Sequence, residues 1–195
     1  MKELYFASQN ENKLKEIQAM MPDDFFLKGL RDLDYNEPLQ EDYDTLEQNA
    51  HQKAHTIFEK FNVSVFADDT GLEVTALNGE PGVKSARYAG ESRSNEANIK
   101  LLLKNLEGVT NRSARFRTVI ALILDGKEYQ FEGIVEGDIM HEKRGSDGFG
   151  YDPIFIPQGY TRTFAEMSIE EKNKISHRKR ALQAMIDFLE SIKTA

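Results

Sequence analysis

The stretch Val63-Ser-Val65-Phe66-Ala-Asp68-Asp69-Thr70-Gly71-Leu-Glu-Val-Thr75 sets the reading of the fold. Val63, Val65 and Phe66 suit a buried strand, and Gly71 permits a sharp turn, so Asp68 and Asp69 are expected at the carboxyl end of that strand. Ligands of open α/β sheets bind at such strand ends. Two adjacent carboxylates repel each other and favour water or a hard cation, which suggests a divalent ion such as Mg2+. Asp-Asp-Thr-Gly also suits a plain polar turn, because Asp and Gly are ordinary turn residues.

Upstream, Leu4 to Ala7 reads as a short apolar strand, and Leu14, Ile17 and Met21 recur after it at helical spacing. The connecting loop, Ser8-Gln9-Asn10-Glu11-Asn12-Lys13, offers a hydroxyl, amides, backbone N–H groups at a helix start and one cation. These are the parts of a phosphate site, although an Asn here can also serve only as a helix cap. Residues 31–44 are acidic and contain Pro38, which predicts an exposed loop carrying Glu37, Glu41, Asp42 and Asp44 as candidate metal ligands. Thr45 and Gln48 form a capping box before a helix with Leu46, Ala50, Ala54, Ile57, Phe58 and Phe61 on one stripe. Asn49 and Lys53 lie one turn apart beside that stripe, close enough to act together. His51 and His55 share this spacing and make half of a zinc site; with no Glu after His51 and no third ligand in view, they read as a hydrated helix face.

Downstream, Gly79 to Ser85 lacks P-loop spacing and reads as a turn, with Arg87 after it a candidate phosphate contact. Ser94 caps a helix whose buried side is Ile99, Leu102, Leu103 and Leu106, ending by Gly108. Arg115 to Leu124 and Glu128 to Val135 are strands joined by the hairpin signal Asp125-Gly126. The first is apolar on both faces, which predicts a central position in the sheet. Gly145 to Pro157 combines glycines with Phe149 and Tyr151, rings that either stack on a flat ligand such as a purine or fill core. Ser168 and Glu171 form another capping box, and a helix with Leu182, Met185, Ile186, Leu189 and Ile192 inward runs from Ser176. His177, Arg178, Lys179 and Arg180 crowd its first turn, behind Lys172 and Lys174. The helix dipole disfavours cations there, a conflict that a bound polyanion resolves.

The composition bounds the function. A chain of 195 residues, 39% hydrophobic and 30% charged, supports one compact domain over residues 1–195. A net charge of −8 argues against non-specific nucleic-acid binding. There is no cysteine, which removes disulfides and thiolate metal sites. With no basic-then-apolar leader and no apolar run of membrane-spanning length, a soluble cytoplasmic protein without a membrane partner is expected.

Five motifs in order, Ser8-Gln9-Asn10-Glu11-Asn12-Lys13, Ala67-Asp-Asp69-Thr70-Gly71-Leu, Ser85-Ala-Arg87-Tyr, Gly148-Phe149-Gly150-Tyr151-Asp152-Pro and Lys172-Asn-Lys-Ile-Ser176-His177-Arg178, closely resemble the inosine triphosphate pyrophosphatase family, nearly end to end. The resemblance implies a mixed α/β fold with a long central sheet flanked by helices, two lobes around an active-site cleft, and a homodimer. It also implies Mg2+-dependent hydrolysis of non-standard purine nucleoside triphosphates (ITP, dITP, XTP) to monophosphate and pyrophosphate. By the same resemblance Asp69 is the catalytic carboxylate, and Glu41 and Asp69 hold the metal. Residues 8–13 and Lys53 contact the triphosphate. Thr70 stands where many members have Ser. Phe149, Gly150, Tyr151, Asp152, Lys172, His177 and Arg178 hold the nucleotide. Glu41-Asp-Tyr replaces the family's common Glu-Thr-Gly, so Glu37, Asp42 and Asp44 compete with Glu41 for the ligand role.

Overall fold

The computed structural model describes residues 2–9, 14 and 17–192. Among the described residues six strands form one mixed sheet in the order β2-β1-β3-β4-β5-β6. They are β1 (Lys2–Phe6), β2 (Phe25–Lys28), β3 (Val65–Val74), β4 (Ser113–Leu124), β5 (Lys127–Ile139) and β6 (Phe155–Pro157). β1 runs parallel to β2 and to β3, whereas β6 pairs antiparallel with β5. Helices with both ends among the described residues are α1 (Leu46–Phe61), α2 (Asn95–Asn105), α3 (Ile169–Ile175) and α4 (His177–Ser191). Fold class and strand order agree with the mixed α/β reading. β4 lies inside the sheet as its two apolar faces require, and it turns into β5 at Asp125-Gly126. No described helix is long and apolar enough to cross a membrane.

The chain divides into two compact units, the first built from residues 1–69, 119–132 and 181–195 and the second from residues 70–118 and 133–180. In the first, Leu4, Phe6 and Phe66 pack with Ile120 and Leu122 of β4 and with Met185 and Leu189 of α4. Phe6 and Phe66 stack at 4.7 Å between ring centroids, which holds β1 beside β3 where the backbones pair. In the second, Leu72, Leu102, Phe116, Ile154, Phe155 and Phe164 form the centre of a separate core.

One local expectation fails. β3 does not end at the Asp pair: it continues unbroken from Val65 to Val74, so Asp68 and Asp69 lie in mid-strand and Gly71 is not a turn. Gly71 is needed for a different reason. A Cβ at this position would sit 2.5 Å from the carbonyl oxygen of Gly82, in the second unit's own 3-10 segment Gly82–Arg87. Ser85 fastens the same approach, its Oγ accepting from the Leu72 N–H at 2.9 Å and donating to the Gly82 carbonyl at 2.6 Å.

The caps follow the sequence. Thr45 Oγ1 accepts from the Gln48 N–H at the start of α1, and Ser94 does the same for α2 through Ala97. At α3 the box is reciprocal: Ser168 Oγ accepts from Glu171 N–H, and Glu171 Oε2 accepts from Ser168 N–H at 2.9 Å. Arg162 Nη2 donates to the other carboxylate oxygen of Glu171 at 2.8 Å. Arg162 first, and the Ser168 N–H after it, hold the Glu171 carboxyl down at about 2.

Two outcomes follow. Gly71→Ala forces backbone against backbone without relief and lowers unfolding stability by about 2 kcal/mol in urea denaturation; an unchanged midpoint would show that Gly82 gives way freely. For Glu171 the depressed value means that its contribution is present above the ordinary carboxyl range, about pH 4.3, and is lost on acidification. The gap in urea midpoint between wild type and Glu171→Gln is therefore constant from neutral pH to about pH 5 and closes as pH falls through about 2.

Candidate active site

In the first unit, β3 and α1 bring a lysine between carboxylates. Lys53 is buried, 7% exposed, on the inward flank of α1. Its Nζ donates to Glu41 Oε1 at 2.7 Å and lies 3.5 Å from Asp69 Oδ1. Burial by itself would push the ammonium down, but Asp69 and Glu41, with Asp68 also contributing, outweigh it and hold Lys53 above the ordinary lysine value.

The acidic loop is sorted by the same helix. Asn49 is buried, and its amide accepts from Tyr43 N–H at 2.9 Å and donates to Tyr43 O at 3.1 Å. Asp42 is held by Gln52 through its N–H and its carboxylate, and Glu37 pairs with Lys60 at 2.9 Å. Glu41 is the loop carboxylate that pairs with Lys53, whose Nζ also lies near Asp69. Three of the four loop carboxylates that the sequence offers thus have different partners: Lys60 for Glu37, Gln52 for Asp42 and Lys53 for Glu41.

Ser8 and Gln9 follow β1, with Gln9 Nε2 donating to Glu37 O at 3.1 Å. A cavity of about 610 Å³ opens beside them, lined also by Arg31, Tyr35 and Asn36. Arg31 has no counterpart among the residues singled out from sequence, since a lone arginine in an acidic loop carries no motif. Asn10, Glu11, Asn12 and Lys13 lie outside the described residues.

In the second unit Asp152 organises the predicted nucleotide residues. It is 2% exposed, and its Oδ2 accepts from the Phe149 N–H at 2.9 Å and from Lys172 Nζ. Gly148 makes room for it: with φ of +79° a side chain there is strained, and a Cβ would lie 2.1 Å from Asp152 Oδ2. The two rings of the glycine-rich stretch divide the two roles open to them. Tyr151 is core, its hydroxyl donating to Ser85 O at 2.9 Å, and burial first, then Tyr88, pushes its phenol far above the ordinary range. Phe149 is 65% exposed, with Lys172 Nζ 4.6 Å from its ring centroid. His177 is buried and stacks on Phe116 at 4.9 Å and 13°. Phe116 is a partner no sequence signal named. Thr70 shares a hydroxyl hydrogen bond of 2.8 Å with buried Thr118. Gly150 adjoins these residues, and Arg178 is half-buried in the first turn of α4. Lys53, Asp69 and Glu41 thus belong to the first unit, and Asp152, Lys172, His177 and Arg178 to the second.

The sequence model of the Ham1 family matches residues 4–188. The chain belongs to the Ham1 family. Among curated Ham1-like relatives, the dITP/XTP pyrophosphatase of Flavobacterium johnsoniae is 52% identical over 190 residues, covering 97% of this chain and 99% of the relative. The dITP/XTP pyrophosphatase of Bacillus subtilis is 44% identical, covering 98% of each. The solved structure of the Staphylococcus aureus Ham1 protein superposes with a TM-score of 0.93 at 43% identity, covering 97% of this chain and 99% of that one. A HAM1 protein from Coxiella burnetii superposes with the same TM-score at 38% identity, covering 98% and 100%. The family resemblance read from the five motifs is therefore borne out.

Removing Lys53 leaves two part-buried carboxylates, Glu41 and Asp69, without their shared cation, so Lys53→Met lowers stability by about 2 kcal/mol at neutral pH. Adding Asp69→Asn to that variant costs less than adding it to wild type, by at least about 1 kcal/mol in a urea double-mutant cycle. Additivity would show that the two side chains do not interact. Because the Lys53 value is raised, its contribution is complete below about pH 10.4 and is lost as pH rises above it.

Proposed function

We propose that the chain is a Mg2+-dependent nucleoside triphosphate pyrophosphohydrolase that converts ITP, dITP and XTP to the monophosphate and pyrophosphate. The observation that carries the reading is Lys53 held between Glu41 and Asp69, an acidic pair at the positions the family resemblance assigns to metal and catalysis. The pyrophosphatase names of relatives about half identical over nearly the full chain support the same reaction.

The donor set fits the ion. Glu41 and Asp69 offer hard carboxylate oxygens gathered on one cationic centre, the ligand type Mg2+ prefers over sulfur or imidazole. When bound, Mg2+ supplies positive charge against the triphosphate oxygens. The remaining work falls to the chain. Asp69 accepts the proton of the water that attacks the α-phosphorus, and the P–O bond to the β-phosphate breaks to release pyrophosphate. Lys53, by its charge, steadies Asp69 and Glu41. The Ser8 to Lys13 segment meets the triphosphate with N–H and side-chain donors.

On the nucleotide side, Phe149 presents an exposed ring for a base to cover, and Lys172 beside it has only donors to offer. A donor matches the 6-keto oxygen of hypoxanthine or xanthine and mismatches the 6-amino group of adenine, a difference of a few kcal/mol in a buried site. The homodimer implied by the family resemblance and the cytoplasmic location expected from the composition form part of this reading.

Incubation with Mg2+ and each of ITP, XTP, GTP, ATP and dUTP, followed by separation of products, tests it. Inosine monophosphate with pyrophosphate is expected from ITP, with ATP cut far more slowly. Diphosphate with orthophosphate, or tight binding without turnover, rejects it. Asp69→Asn removes turnover, by at least about a thousandfold, with an unchanged circular dichroism spectrum; retained activity removes Asp69 from the role.

A further inference from the structure

We propose that His51, His55 and Glu128 form a binding site for a divalent transition ion of the zinc type, separate from the carboxylates on Lys53. The two histidines project one helical turn apart from the half-exposed flank of α1, while Lys53 on the same helix is buried. The third group comes from far along the chain, at the start of β5 within the same unit. One ligand atom from each of the three residues lies within 4.8 Å of the other two.

The geometry is that of convergent ligands, with each oxygen of Glu128 facing a different imidazole. Oε1 lies 2.8 Å from His55 Nε2 and Oε2 lies 3.7 Å from His51 Nδ1. In a tetrahedral site with zinc bonds of about 2.1 Å, neighbouring ligand atoms are about 3.4 Å apart. The two separations, one from each carboxylate oxygen, fall on either side of that edge, and side-chain movement within the 4.8 Å span of the three ligand atoms brings them onto one ion. The imidazoles are tilted by 31° with centroids 6.2 Å apart, which leaves space between them. The other nitrogen of His55, Nδ1, lies 3.9 Å from Glu59 Oε1 one turn on, beyond hydrogen-bond distance but on the same exposed flank.

The donor set decides the ion class. Two imidazoles with one carboxylate suit Zn2+, Ni2+ or Cu2+ and are poor ligands for Mg2+, which prefers oxygen and keeps its waters. Three protein ligands leave a fourth position for water. The ion would clamp α1 to the β4–β5 hairpin and so stabilise the first unit by mass action.

The test is calorimetric titration of the metal-free full-length chain with Zn2+ alone. One saturable ion per chain is expected, with the melting temperature raised by several degrees at saturation. His51→Ala, His55→Ala and Glu128→Ala should each weaken binding at least tenfold, whereas His141→Ala, at an exposed histidine of the other unit, leaves it unchanged. Mg2+ in large excess should not displace the zinc, and Co2+ bound in its place should show the visible absorption of a four-coordinate site. Circular dichroism checks that these surface variants remain folded. Absence of saturable heat, equal binding by the three variants, or displacement by Mg2+ overturns the proposal and leaves Glu128 as a hydrogen-bond acceptor for His55.

Discussion

A buried ammonium is tolerated in a protein interior when opposite charges stand close enough to repay its lost hydration. Lys53 meets that condition through Glu41 at 2.7 Å and Asp69 at 3.5 Å, and it binds together three separate pieces of chain: the acidic loop, α1 and β3. Neither carboxylate would be well placed without it, because two like charges brought together in a poorly hydrated position repel. The surrounding residues keep this arrangement in register. Asn49 ties the loop backbone to α1 at Tyr43, Gln52 holds Asp42 to one side, and Phe6 stacked on Phe66 fixes the strand that carries Asp69.

The second unit solves a related problem with different means. Asp152 is almost wholly buried, and a lysine and a backbone N–H face it. Gly148 supplies the space for the carboxylate, and the capping box of Ser168 and Glu171 fixes the short helix that carries Lys172. Both units therefore use a lysine to hold an acidic side chain in a defined position. A group held this way needs little reorganisation when a charged ligand arrives.

Much of this architecture is legible in the chain because it is encoded locally. Thr45, Ser94 and Ser168 announce helix starts through side chains that act within one turn, and Asp125-Gly126 announces a hairpin through backbone conformation alone. The order of five motifs, read as a family resemblance, singles out Asp69, Asp152 and Lys172 as candidates. What stayed hidden depends on contacts between distant segments. Gly71 reads as a turn until Gly82 is known to press against it. Glu37, Glu41 and Asp42 of one loop look alike until Lys60, Lys53 and Gln52 tell them apart. The pair His51 and His55 lacks a third member until strand pairing delivers Glu128, and nothing near His177 in sequence foretells its ring contact with Phe116.

Phe149 stands apart from the other rings of its unit, left about two-thirds in water while Tyr151, two residues on, is core. Whatever flat molecule covers that ring removes ordered solvent from both surfaces. Complex formation there therefore carries a negative heat-capacity change, so its enthalpy grows more favourable on warming while the affinity itself varies little. A ligand on this ring would thus show a thermal fingerprint distinct from that of purely ionic contacts, whose strength follows ionic strength instead.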